Sequence, residues 1–189
     1  MKYKYAEPCL SVSLSPLYRF VSYLLIRELE PEDLPKVRHV VDNLPEPYRG
    51  DMLSELDRGD AYLRLRVDFT KTLLMYVHPY ESVFVDPSGL MCTDVSAEVL
   101  RYYAKFGYEP DLRSARVRCG DHLGLELLFA ASLMEEGRGE AAADFFERHL
   151  GRWGPLAGFA IYKSAATSFY KSLGMLVAEL IAEGYENLR

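Results

Sequence analysis

Asp121-His122-Leu123-Gly124-Leu125-Glu126-Leu127-Leu128-Phe129-Ala130-Ala131-Ser132-Leu133-Met134 is the stretch on which the fold turns. Leu123, Leu127, Leu128, Ala131 and Met134 recur at the spacing of one helical face. Asp121 stands at the front, where a short carboxylate can accept from the free amides of a first turn, and Glu135-Glu136-Gly137 ends the run. The stretch therefore reads as a strongly apolar helix.

The same reading extends in both directions. Downstream, a helix from about Glu140 carries Phe145, Phe146 and Leu150 and ends near Trp153-Gly154-Pro155. A last helix runs from about Leu156 to Glu183, with Gly184 as its stop. Its stripe of Phe159, Tyr162, Ala166, Phe169, Leu173, Leu176, Val177 and Leu180 predicts a central packing helix, with Lys163, Lys171, Glu179 and Glu183 on the polar side. Upstream, Thr93-Asp94 caps a helix with Val95, Val99, Tyr102, Tyr103 and Phe106 on one face and Gly107 as its stop. A loop rich in Pro, Asp and Arg joins it to Gly120. Pro79 to Met91 reads as irregular, because its prolines and glycine forbid a continuous helix. From about Ala61 to Tyr76 the periods of two and 3.6 are mixed, and the segment is read as helix. Shorter helices are expected after Ser15-Pro16, after Pro31-Glu32-Asp33 and from about Asp51 through Leu56. With no repeat and no linker-like stretch, the expectation is one all-α domain over residues 1–189.

Composition narrows the function classes. A chain of 189 residues that is 49% hydrophobic and 26% charged, with mean hydropathy −0.10, is that of a packed globular protein. A net charge of −6 and scattered basic residues argue against a nucleic-acid partner and favour a cationic one. No apolar run reaches the roughly 18 to 20 residues that a bilayer demands, and the N-terminal stretch lacks the features of a secretory signal, so a cytoplasmic location is expected. Cys9, Cys92 and Cys119 are odd in number and far apart, which predicts reduced thiols. There is no G-x-x-x-x-G-K-[ST], G-x-S-x-G or H-E-x-x-H, and no metal site is expected from the lone pair Cys119 and His122. His149 falls where a helix ends, and its simplest role is a cation at the negative end of the dipole.

Three stretches carry a resemblance. Val67-Asp68-Phe69-Thr70 through Pro79-Tyr80-Glu81-Ser82-Val83-Phe84 is followed by a helix ending Tyr102-Tyr103-Ala104-Lys105-Phe106-Gly107. Asp121-His122-Leu123-Gly124-Leu125-Glu126-Leu127-Leu128-Phe129 and Phe145-Phe146-Glu147-Arg148-His149-Leu150-Gly151-Arg152-Trp153 come after it in order. Together they resemble the PYES loop, the DHLGxELxFxxxL segment and the FxxxHLxxW segment of the TorD/DmsD/NarJ family of redox-enzyme maturation chaperones. Arg118-Cys119-Gly120 stand where that family often has Glu-Pro.

The resemblance implies an all-helical chaperone and no enzyme. Its partner would be the catalytic subunit of a molybdenum oxidoreductase, held by its N-terminal twin-arginine leader until the cofactor is inserted. It implies a peptide-binding set of Tyr80, Glu81, Ser82, Tyr103, Gly107, Asp121, His122 and Glu126. Asp121 and His122, exposed at one end of a groove, would meet the leader's arginines, the first by charge-assisted hydrogen bonds and the second by a charge that adjusts near neutral pH. No cofactor is expected, since no phosphate-cradling motif supports the guanine nucleotide or molybdenum cofactor contact known for some members. Each residue also has a plainer reading: Asp121 as a helix cap, Tyr80 and Ser82 as loop residues bonded to their own backbone, Tyr102, Tyr103, Phe129 and Trp153 as core. A helical adaptor for another client, or a small enzyme using Asp121 and His122 as an acid/base pair, remain the alternatives at this point.

Overall fold

The computed structural model describes residues 14–188, and Cys9 lies outside them. The fold is all-α. In chain order the helices are α1 (Leu14–Ile26), α2 (Leu34–Val41), α3 (Tyr48–Leu56), α4 (Ala61–Phe69), α5 (Glu81–Val85), α6 (Asp94–Lys105), α7 (Leu123–Glu135), α8 (Gly139–Phe145), α9 (Gly151–Ser164) and α10 (Ser168–Asn187). One 3-10 turn, Pro31–Asp33, leads into α2.

Two wide-turn segments of π type extend these helices, Thr70–Val77 after α4 and Phe146–Leu150 between α8 and α9. The first explains the mixed periodicity of 61–76. Leu65, Phe69, Leu73 and Val77 are buried at a steady spacing of four, while Leu63, Val67 and Leu74 face solvent. A widened turn keeps that spacing where a regular helix would rotate it out of the core.

The second overturns an expected boundary. Helix is continuous from Gly139 through the wide turn to Ser164, so Trp153-Gly154-Pro155 does not end it, and Pro155 sits inside α9. The chain breaks later, at Ala165-Ala166-Thr167, within what was read as one helix from Leu156 to Glu183. Buried Asp68 enforces that break. Its carboxylate accepts from the backbone of Ala166 at 3.0 Å and of Thr167 at 2.7 Å, and from the Thr167 hydroxyl at 2.6 Å. Thr167 in turn caps α10 by accepting from the Tyr170 amide at 3.3 Å. Gly184 is no stop either, since α10 continues to Asn187.

Because of the break, α9 folds back along α10. The pair crosses at Gly158 and Gly174, where a Cβ on either glycine would lie 2.6 Å from the other's carbonyl oxygen, so only glycine permits the approach. Around this hairpin one continuous core gathers Tyr18 and Leu24 of α1, Tyr103 of α6, Phe129 of α7, Phe145, Phe146 and Trp153, and Phe169, Tyr170 and Leu173 of α10.

Two further expectations are corrected. The segment from Pro79 to Met91 is not wholly irregular, since it contains α5. Cys92 and Cys119 are not free thiols: they form a disulfide, with Cα atoms 5.6 Å apart, that ties the loop after α5 to the loop before α7.

Candidate functional site

Tyr80, Glu81, Ser82, Asp121, His122 and Glu126, six of the residues singled out by the sequence, come together with Tyr103 beside them. The segments that carry them are zipped by backbone: Tyr80 and His122 form an isolated antiparallel bridge, the Glu81 amide donates to Asp121 O at 2.9 Å, and the Leu123 amide donates to Pro79 O at 2.9 Å. Asp121 is a helix cap, though for a different helix than expected. Its Oδ2 accepts from the Ser82 amide at 2.8 Å, in the first turn of α5. α7 is capped instead by His122, whose Nδ1 accepts from the Gly124 amide at 3.1 Å. The Tyr103 hydroxyl donates to Gly120 O at 3.1 Å, and the Tyr80 hydroxyl accepts from the Arg118 amide at 3.2 Å. The Ser82 hydroxyl accepts from the Cys92 amide at 3.2 Å.

Behind this bridge lies an acidic interior. Glu81 pairs with His149 Nδ1 at 3.0 Å, and Glu126 accepts from the Trp153 indole at 3.2 Å. Burial first, then the neighbouring Glu81 and Asp121 carboxylates, hold the Glu126 carboxyl well above the usual carboxylate range. His149 therefore does not cap a helix end; it sits inside the continuous α8–α9 run and binds a carboxylate. Nothing in the spacing of positions 81, 126, 149 and 153 betrays that they meet.

The expected exposure is corrected. Asp121 and Glu126 are 0% exposed and His122 5%, and Tyr80, Glu81, Ser82 and Tyr103 are buried with them. Burial pushes the His122 imidazole down to about 3, so it stays neutral near pH 7 and does not adjust its charge there. Of the eight residues only Gly107 faces solvent, as the left-handed stop of α6 at φ 74°. In this conformation the cluster offers arginines no open carboxylate.

A cleft does exist, on another part of the molecule, and none of the eight residues lines it. Of about 670 Å³, it runs along α10 between α9 and the start of α3. Phe159 and Tyr162 of α9 and Met175, Leu176 and Leu180 of α10 supply apolar surface, and Tyr48 and the Pro45–Pro47 turn form the facing wall. Phe159 and Tyr162 were expected within a packing stripe; they are 49% and 37% exposed. Asp51 is held at one end by Ser168 and Ser172, whose hydroxyls donate to its carbonyl at 2.8 Å and its carboxylate at 3.2 Å.

At the other end stand Glu46, Glu179 and Glu183. Glu46 is paired with Arg49 at 2.7 Å. Glu179 receives the Tyr48 hydroxyl, and among the described residues neither Glu179 nor Glu183 has an ion-pair partner. Burial, then Glu179 and Glu186, raise the Glu183 carboxyl above its ordinary value, as an uncompensated negative corner should.

The family model described as nitrate reductase delta subunit matches residues 30–157, more than half of the chain. The chain belongs to the nitrate reductase delta subunit family. This is a family of chaperones for molybdoenzyme assembly, not of catalysts, and it acts with nitrate reductase-type molybdoenzyme subunits. The delta-subunit match takes in the buried cluster, α5 and α7, and begins well upstream of the motifs that suggested it. It stops short of α10, so the floor of the cleft lies largely beyond it. No curated protein matches the chain. Among the described residues no helix is long and apolar enough to cross a membrane.

Proposed function

We propose that this chain is a cytoplasmic chaperone that holds the N-terminal, twin-arginine leader of a molybdenum oxidoreductase catalytic subunit until cofactor insertion and assembly. One observation carries the reading: an apolar cleft whose end is lined by Glu179 and Glu183 without cationic partners among the described residues. A leader has a basic head and a short apolar body. As a disordered segment it orders on binding, laying its apolar side on Phe159, Tyr162 and Met175 while guanidinium groups meet the two carboxylates. The net charge of −6 favours the encounter.

The buried cluster serves the fold in this scheme: Asp121 accepts from Ser82 of α5, His122 caps α7, and Glu126 of α7 accepts from Trp153 of α9. Ordering entropy offsets part of the contact energy, which suits a chaperone that must let its client go, so the expected dissociation constant is micromolar, about −8 kcal/mol.

Titration of a twin-arginine leader and its Arg→Gln version against the full chain tests the reading. The native leader is expected to bind at least about tenfold more tightly, and Glu179→Gln with Glu183→Gln to remove most of that preference. Equal binding of the two peptides, or none by either, overturns it.

A further inference from the structure

The cleft is charged at both ends, and with opposite signs. Lys163 and Lys171 line the end near the α9–α10 turn, where they outnumber the one carboxylate there, Asp51, which is held by Ser168 and Ser172, while Glu179 and Glu183 line the other. The Lys163 ammonium lies 5.7 Å over the Tyr162 ring, which keeps it beside the cleft wall. Among the described residues neither lysine has an ion-pair partner.

This arrangement runs against the interest of the helix that carries it. The dipole of α10 favours acidic residues in its first turn and basic ones in its last, yet it has neither. Lys171 stands near its start, and Glu183 and Glu186 near its end. Charges placed against the dipole cost stability, but they reinforce the dipole's field along the cleft, since both are positive at the same end. A polarity that weakens α10 and sharpens the cleft is explained by what the cleft receives.

We propose that the cleft selects a bipolar peptide and fixes its direction: the arginine pair docks at Glu179 and Glu183, and an anionic group further along the peptide docks between Lys163 and Lys171. The proposal rests on the leader-holding reading and adds the second anchor. From Lys171 to Glu179 and Glu183 the rise along α10 is about 12 to 18 Å. An extended peptide covers that span in roughly four to six residues, a helical one in about eight to twelve. Lys163 and Lys171 therefore act as register residues, and they reject a leader whose anionic group lies at the wrong distance or which enters backwards.

The test uses the full chain and a series of synthetic twin-arginine peptides that differ only in the position of a single glutamate, moved stepwise from two to about twelve residues beyond the arginine pair and read by fluorescence anisotropy. Affinity is expected to peak about threefold to fivefold at one spacing, within the extended or the helical window. The peak should vanish in Lys163→Gln with Lys171→Gln, and a lysine in place of the peptide's glutamate should restore it in Lys163→Glu with Lys171→Glu. Both lysines are exposed, so these variants should melt like the parent. Affinity that is flat with spacing, or a peak that survives loss of both lysines, overturns the bipolar assignment while the arginine preference stands. Loss of the arginine preference itself overturns the leader-holding reading, and with it this one.

Discussion

Two groups of three carboxylates lie in this molecule, and their surroundings give them opposite work. Glu81, Asp121 and Glu126 are at most 1% exposed. Glu81 meets the His149 imidazole, Asp121 Oδ2 the Ser82 amide and Glu126 Oε2 the Trp153 indole, while Asp121 Oδ1 and Glu126 Oε1 are buried without a hydrogen-bond partner among the described residues. Glu46, Glu179 and Glu183 border an open cleft, and the last two meet no cation among the described residues. Buried carboxylates must be neutralised or hydrogen-bonded, so they serve the fold; carboxylates on an open cleft stay available to a ligand. The sequence drew attention to the first group and passed over the second. Substitutions in the buried group should therefore move stability and leave leader affinity alone, and substitutions in the open group should do the reverse.

The largest effect is expected for Asp121→Ala. It leaves the Ser82 amide without its partner inside the protein and uncaps α5, which should cost about 2 to 3 kcal/mol in denaturant unfolding. Leader affinity of the fraction that remains folded should be unchanged. A weakened leader with unchanged stability would transfer recognition back to the buried group and break the contrast.

His122 sharpens it through pH. Its folded value, about 3, lies below its ordinary 6.5, so the native state binds fewer protons than the unfolded one in that window. Its contribution is present above pH 6.5 and is lost as pH falls toward 3, about 2 kcal/mol between pH 6.5 and 5. His122→Asn keeps a side-chain acceptor at the cap but does not titrate, so its melting temperature should fall less over that window than the parent's. Identical slopes for the two chains would show that His122 is not sealed in.

Glu126 should act with the opposite sign. Its folded value is raised, so its stabilising proton is held in full below the ordinary 4.5, and stability is lost as pH rises toward the folded value. Glu126→Gln presents an uncharged group of the same shape that can still accept from Trp153. It should match the parent at pH 4 within about 0.5 kcal/mol and exceed it at pH 8 by about 1 kcal/mol or more. A variant less stable than the parent at both pH values would mean that the carboxylate is charged in the fold.

How much of this could be read in advance follows from the range of each interaction. Helices α1, α6 and α7 were legible because apolar spacing acts within one turn, and Leu123, Leu127 and Ala131 are buried as their spacing demands. The expected caps were not, since Ser15 donates to Glu135, Thr93 makes no side-chain cap bond to α6, and Asp121 caps α5 instead of α7. The α9–α10 break was not, because it depends on Asp68, nearly a hundred residues away, satisfying the amides of Ala166 and Thr167. Cys92 with Cys119 is similar, a pairing of two loops that no spacing rule supplies. For the site, the motifs located Tyr80, Ser82, Asp121, His122 and Glu126 as one group, correctly, but motif order cannot say whether a group faces in or out. Glu179 and Glu183 read as an ordinary solvated face, since the opposing wall comes from Pro45 to Asp51 and α9, remote in sequence or across the unrecognised break.

The smallest change in stability, and the most telling in sign, is expected for Glu179→Lys with Glu183→Lys. Each glutamate lies toward the negative end of the α10 dipole and beside another carboxylate, Glu186 included, so reversal removes repulsion and supplies the cations that end of the helix favours. The gain should be about 0.3 to 1 kcal/mol at low ionic strength and should fade in salt. Tyr48 loses its Glu179 acceptor, but its hydroxyl is next to the open cleft and can turn to water, so that loss subtracts only part of the gain. Leader affinity should fall in the same variant by about tenfold or more. A chain made firmer by the very change that disarms it is what a ligand-facing carboxylate pair requires; a chain made weaker by it would place Glu179 and Glu183 with the structural carboxylates, and the difference between the two groups would disappear.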